Sequence, residues 1–184
     1  MLIDNKKNGK VGDVLKASIK NNSKLSIISG YFTIYSYHYL KNELNNVDLL
    51  NAIPEENKLK NKLQQTKIAK ECAKWLESKS EVKEVKVNNS IPFNLYHIHN
   101  KGDEDLAIQG SSHLSSVGLG YISSNSFAMN TSENDFETTK DFLNTFDEIW
   151  ENETLVSDIK DKVLSNLETI YEDKSPQLLY FMTL

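Results

Sequence analysis

Three of the four histidines lie on one short stretch of the chain, His97, His99 and His113, which also contains the turn Gly110-Ser111-Ser112. Imidazole can act as a nucleophile, as an acid or base near neutral pH, or as a metal ligand. Turns of small residues can present backbone N–H groups to an anion. The stretch is therefore a candidate for phosphate chemistry, for zinc binding, and for anion binding at the turn.

Two predicted strands position these residues. The segments Phe93–His99 and Asp105–Gln109 are joined by a charged turn, which predicts a β-hairpin. Because side chains alternate along a strand, His97 and His99 fall on the face opposite Asn94 and Tyr96. A zinc ion held by histidines would need a fourth ligand at suitable spacing, and none follows. The sequence therefore predicts neither a metal nor another cofactor.

The stretch that ends in this turn resembles the phosphodiesterase motif of the phospholipase D superfamily. Most of the chain is similar to the phospholipase D-like domain at the N-terminus of certain bacterial superfamily II helicases. The segments that carry the resemblance are Ser23–Thr33, Ile68–Leu76, Leu95-Tyr96, Gly110-Ser111-Ser112, Phe146–Trp150 and Ser175–Tyr180. In active members a His attacks phosphorus, while a Lys and an Asn hold the phosphoryl oxygens.

Aligned on Leu95-Tyr96, the motif is degenerate. The positions of the nucleophile, the Lys, the oxygen-binding Asn and the orienting Glu fall on Pro92, Asn94, His113 and Ala128, and Ser111 alone is retained. Proline cannot attack phosphorus, and a neutral amide cannot replace the charge of a lysine. In this alignment, the resemblance implies a site without catalytic residues.

A second register keeps an enzyme open. His97-Ile98-His99 has the His-x-basic spacing, with Glu104 near the position of a motif Asp, although the count to Gly110 is one residue short. In this alternative, His97, His99 and His113 serve a dimeric, metal-independent phospholipase D-type nuclease, since one motif per chain requires two chains. In the alternative without chemistry, His97 is a packed strand residue and His99 is exposed at the turn.

The composition argues against tight DNA binding by this chain on its own. The net charge is −5, and all 21 basic residues are lysines, so no arginine is present for bidentate contacts. We expect weak or no independent nucleic-acid binding. No apolar run approaches the roughly 20 residues of a membrane span, and the N-terminus lacks the apolar core of a signal peptide. We predict a cytoplasmic protein with no membrane contact and with a buried Cys72.

The order of predicted elements is typical of an α/β domain. We expect a mixed sheet flanked by helices on both faces, resembling one phospholipase D half. The predicted helices are Val11–Lys20, Tyr37–Leu44, Ile68–Leu76, Thr139–Trp150 and Leu155–Tyr171. Besides the hairpin, the predicted strands are Lys24–Ile28, Val47–Ile53 ended by Pro54, Val82–Val87 and Phe127–Met129. Residues 1–152 form the phospholipase D-like domain in this prediction, and residues 153–184 form a helical extension packed on it.

These features predict a catalytically degenerate domain that acts as a binding or assembly module. The resemblance to helicase-linked domains implies a setting in prokaryotic nucleic-acid processing or DNA defence. The predicted partners are a second copy in a homodimer, a related domain in a heterodimer, or a helicase. In the heterodimer, this chain would be a decoy for a larger relative. The halves of the superfamily pack across a two-fold axis, and Ser115–Ser132 is expected near that contact.

Overall fold

The computed structural model describes residues 1–56, 62–86 and 89–172, which form one mixed sheet and five helices. The strands are β1 (Leu2–Ile3), β2 (Lys24–Tyr31), β3 (Leu49–Glu56), β4 (Ser80–Val85), β5 (Asn94–His99), β6 (Leu106–Gly110), β7 (Asn130–Glu133) and β8 (Val156–Asp158). The helices are α1 (Val11–Ser18), α2 (Ile34–Leu44), α3 (Lys62–Lys79), α4 (Phe136–Glu151) and α5 (Lys160–Glu172).

The eight strands lie in the order β1-β7-β6-β5-β2-β3-β4-β8. β2, β3 and β4 are parallel, and the remaining neighbours are antiparallel. Parallel neighbours need a crossover, which α2 and α3 supply in turn. The α/β class and the mixed sheet are therefore confirmed.

The two faces of the sheet carry different helices because side chains alternate along each strand. Leu25 and Ile27 of β2 belong to the main core, to which α1, α2, α3 and α5 all contribute side chains. Ile28 and Leu95 point the other way and pack with Phe146 of α4, whose ring stacks on Trp150 at 5.5 Å between centroids. Helices therefore cover both faces, as the sequence predicts.

The main core also contains the single cysteine. Cys72 of α3 is fully buried as a free thiol, in agreement with its apolar helical pattern. Burial raises the pKa of this thiol because the charged thiolate is disfavoured away from water. Along the same face of α3, Trp75 donates its indole N–H to the carbonyl oxygen of Leu44, 3.0 Å away.

Two strand predictions are wrong. β3 does not end before Pro54 but runs to Glu56, with Pro54 opposite Ser29 of β2. β4 pairs with Leu50, Asn51 and Ala52 of β3, so Pro54 lies beyond these pairs, towards the end of the strand. The apolar segment Phe127–Met129 is not a strand; the polar residues of β7 follow it and pair with β6 and β1.

The C-terminal part differs from its prediction at one end. Leu155–Tyr171 is not one helix, because Val156–Asp158 pairs with β4 as the edge strand β8 before α5 begins. α5 then places Val163 and Leu167 in the main core. The domain division at residue 152 stays a prediction, and Val87 and residues 173–184 lie outside the described residues. Among the described helices, none combines the length and apolarity needed to cross a bilayer.

Candidate functional site

The end of β6 depends on a glycine. Gly110 has φ +153°, and a Cβ atom at this position would lie 2.3 Å from the carbonyl oxygen of Met129. No side chain fits so short an approach, so the backbone contact requires glycine here. The chain leaves the sheet at this contact and forms the turn of the candidate motif.

Asn94 holds this corner together from the neighbouring strand. Its buried side-chain oxygen accepts the N–H of Gly30 at 3.0 Å, and its amide nitrogen donates to the carbonyl of Gly110 at 3.0 Å. The residue at the family's lysine position therefore ties β2 to β6. Pro92, at the nucleophile position, is exposed and is not among the residues of the cleft described below.

Two backbone donors of the turn form hydrogen bonds inside the protein. The N–H of Ser111 donates to the carbonyl of Met129 at 3.1 Å, and the N–H of Ser112 donates to the side-chain oxygen of Asn130 at 3.0 Å. These two N–H groups therefore already have acceptors, while anion binding by Gly110-Ser111-Ser112 stays a prediction. An anion near this turn would need donors other than the N–H groups of Ser111 and Ser112. The contacts with Met129 and Asn130 cannot be predicted from the sequence of the turn alone.

A cleft of about 460 Å³ does lie beside the turn. It is lined by Asp4, Asn5, Lys6, Lys10, Tyr31, Ser111, Ser112, His113 and the loop residues Val117, Gly118, Gly120–Ser124 and Ser126–Ala128. Three of the five aligned motif positions, Ser111, His113 and Ala128, thus meet at one cavity. The ring of His113 lies 4.3 Å from that of Tyr31, which leaves the sheet at the end of β2.

The N-terminal residues become one wall of this cleft through Asn5. Its amide nitrogen donates to the carbonyl of Gly118 at 2.7 Å, and its oxygen accepts the N–H of Val11 at 2.9 Å. This residue adopts φ +58°, a conformation that asparagine tolerates better than most residues. The contacts join the start of α1 to the loop after the turn and bring Lys6 and Lys10 to the cleft.

His97 and His99 lie elsewhere. His97 is 1% exposed on the sheet face that α4 covers, and its Nε2 is 3.7 Å from Oδ2 of Asp105. Burial lowers the pKa of His97, while the carboxylate of Asp105 opposes that shift. His99 is half-exposed and places Nδ1 2.9 Å from Oδ1 of Asp105.

The alternative catalytic set is therefore split between two places. His99 and Asp105 line a second cavity, at the hairpin turn, whereas His113 lines the cleft at the Gly110 end. Across the described ranges, no three His, Cys, Asp or Glu side chains are arranged to hold a metal ion.

Sequence reasoning missed Lys6, Lys10, Tyr121 and Phe127 as cleft residues. Phe127 was assigned to a strand, yet its side chain is 91% exposed at the cleft, and Nζ of Lys6 lies 4.4 Å from its ring centroid. Tyr121 stacks on Tyr39 at 4.5 Å between centroids. The one signal available was the lysine-rich N-terminal segment, whose distance along the chain hides its position beside the loop.

No protein-family model matches the chain, and no curated protein matches it.

Proposed function

We propose that this chain is a non-catalytic, phospholipase D-like binding and assembly module that works in the cytoplasm in prokaryotic nucleic-acid processing or DNA defence. The observation that carries the proposal is the position of Asn94. Its side-chain oxygen accepts a hydrogen bond from the N–H of Gly30, and its amide nitrogen donates one to the carbonyl of Gly110, each at 3.0 Å. A lysine ammonium cannot accept a hydrogen bond, so this position has a structural role here.

The nucleophile position supports the same conclusion. Pro92 has no nucleophilic atom and lies outside the cleft, while His97 and His99 lie near Asp105 on the α4 side. The cleft retains one histidine, His113, packed on Tyr31. Phosphoryl transfer through a covalent intermediate needs a nucleophile and a second group that protonates the leaving oxygen. A single cleft supplies one of these two groups, so a nuclease would need His113 of a second chain as well.

Assembly is supported by apolar side chains around the cleft. The mouth patch consists of Met1, Leu2, Val117, Ile122 and Met129, all of them exposed. Leu2 of β1 lies opposite Thr131 of β7, which follows Met129 by two residues along the chain. Several exposed apolar side chains on neighbouring segments are typical of interaction surfaces. A second copy would bury the patch across a two-fold axis, since one surface then serves both partners.

Catalysis is tested directly. We expect no cleavage of single- or double-stranded DNA in the presence of a chelator, and no difference between the natural chain and His113→Ala. Chelator-resistant cleavage that is lost in His113→Ala or His97→Ala would instead establish the dimeric nuclease.

Light scattering tests the assembly. At micromolar concentration we expect a mass of twice the 21.0 kDa of the chain. Met129→Lys places a charge in the mouth patch at a side chain that is 71% exposed, so it should return the protein to a monomer. Phe136→Lys changes a side chain of equal exposure outside the patch and should leave the dimer intact. A natural chain that is monomeric, or that dimerises regardless of Met129, would contradict the proposal.

A further inference from the structure

The cleft brings together two lysines without carboxylate partners. Lys6 and Lys10 both line it, and within the described part of the chain neither ammonium forms an ion pair. Asp4 is the one acidic residue of the lining. Its carboxylate accepts the N–H groups of Lys6 and Asn8 at 2.9 and 2.8 Å, and these bonds lower its pKa. The carboxylate is thus engaged by its own loop, and the two ammonium groups remain for an anion.

A flat aromatic surface stands beside this charge. The ring of Phe127 is almost fully exposed, and Nζ of Lys6 lies 4.4 Å from its centroid. An apolar ring so exposed is unfavourable in water unless something covers it. Nucleic-acid bases stack on exposed aromatic rings whatever their sequence, and lysines beside such rings neutralise the phosphates. The hydroxyls of Ser123 and Ser126 in the lining can take up the polar edge of a base or a sugar.

We propose that this cleft binds a single nucleotide unit, with its phosphate on Lys6 and Lys10 and its base on Phe127. The volume of about 460 Å³ lies within the range of small-ligand sites, roughly 300–1,000 Å³. None of these three residues is a position of the degenerate motif, so the site does not depend on phosphodiesterase chemistry. The nucleotide is either free or the end of a single strand, since both present the same phosphate and base.

The first experiment uses the full ¹⁵N-labelled chain and thymidine monophosphate. We expect the amide resonances of residues 4–10, 111–113 and 117–128 to shift during titration. The double variant Lys6→Gln/Lys10→Gln should weaken binding at least about tenfold, because both phosphate contacts are lost. Phe127→Ala should weaken it about fivefold or more through lost stacking.

A matched control exists at the other end of the β5–β6 hairpin. Lys140 lies over Phe136, with Nζ 5.8 Å from the ring centroid, and Phe136 is 70% exposed. Lys140→Gln and Phe136→Ala remove the same chemical groups away from the cleft and should leave the affinity unchanged. Equal losses in the control and cleft variants would overturn the site, as would a natural chain that does not respond to thymidine monophosphate.

Further ligands test whether both the base and the phosphate are bound, and whether the nucleotide is free or the end of a strand. Thymidine and inorganic phosphate should each bind more weakly than thymidine monophosphate, and equal binding of either one would overturn the combined site. Two oligothymidylates, one with and one without a terminal phosphate, are then compared. If only the phosphorylated oligomer binds, the ligand is a strand end. If neither oligomer binds while the mononucleotide does, the ligand is the free nucleotide. A monomeric chain that binds thymidine monophosphate would overturn the assembly function and leave this site standing.

Discussion

A cavity lies at each end of the β5–β6 hairpin. Each end has a lysine over an exposed phenylalanine ring, but one cavity is lined by lysines and the other by carboxylates. At the Gly110 end, Lys6 lies over the exposed Phe127 beside Lys10. At the turn end, Lys140 lies over the exposed Phe136, and the cavity of about 780 Å³ is lined by His99, Asp103, Glu104, Asp105 and Asp135.

The difference comes from the loops rather than from the strands. β5 and β6 supply the same antiparallel frame to both ends, with Asn94 opposite Gly110 and Ile98 opposite Leu106. The lysines of the first cavity arrive from the N-terminal segment, whereas the carboxylates of the second belong to the hairpin turn and the start of α4. One frame thus separates a cavity suited to anions from a cavity that repels them.

The largest expected effect tests the backbone at each end. Gly110→Ala should lower the free energy of unfolding by about 3 kcal/mol or more, since its Cβ would meet the carbonyl of Met129 at 2.3 Å. Gly102, at the hairpin turn, also has a positive φ of +81°, but a Cβ atom there would meet open space. Gly102→Ala is therefore the comparison. It should cost only about 1–2 kcal/mol, the usual penalty of a left-handed residue. Urea denaturation measures both, and equal losses would contradict the close approach at Gly110.

Each end also has a buried asparagine that bridges strands and loops. Asn94 connects Gly30 to Gly110, while Asn100 donates to the carbonyl of Ser18 at 3.1 Å and accepts the hydroxyl of Ser23. Asn94→Ala and Asn100→Ala should each cost about 1–3 kcal/mol, because buried partners lose their hydrogen bonds. Only Asn94→Ala should shift the NMR resonances of His113. Matching shifts in Asn100→Ala would show that the two ends are not independent.

The smallest effect concerns pH and His97. Burial lowers the pKa of His97 below 6.5 in the folded chain, against the opposing charge of Asp105. As the pH falls below 6.5, the unfolded chain gains a proton that the folded chain does not, so the free energy of unfolding decreases. His97→Gln should flatten this decrease, whereas His99→Gln, at a half-exposed site, should retain it. Denaturant titrations between pH 8 and pH 5 check the difference, and equal slopes for His97→Gln and the natural chain would contradict it.

The hydrophobic spacing of the sequence predicts those helices and strands whose position depends on neighbouring residues. The hairpin, α1 and α3 follow from alternation or helical spacing, and their predictions agree with the structure within a few residues at most ends. β7 and β8 are short, and their pairing with distant strands determines them. Asn130 of β7 is buried because it binds Ile3 and Ser112, which are remote in sequence. No local pattern carries that information.

The cleft shows the same limit. The turn at Gly110 is visible in the sequence, and its residues do reach a cavity. The N–H groups of Ser111 and Ser112 donate to Met129 and Asn130, which lie at the other end of a long loop. Lys6 and Lys10 reach the site only through the contacts of Asn5. The functional groups that remain are therefore those that tertiary contacts bring in.

The burial of Cys72 gives the protein an internal reporter. It is the single cysteine of the chain, it has no exposed surface, and its raised pKa suppresses the reactive thiolate. A thiol reagent can therefore reach it only when α3 separates from the sheet. The rate of labelling in native buffer then measures how often the core opens, so the variants at both ends of the hairpin can be ranked without denaturant and without an introduced cysteine.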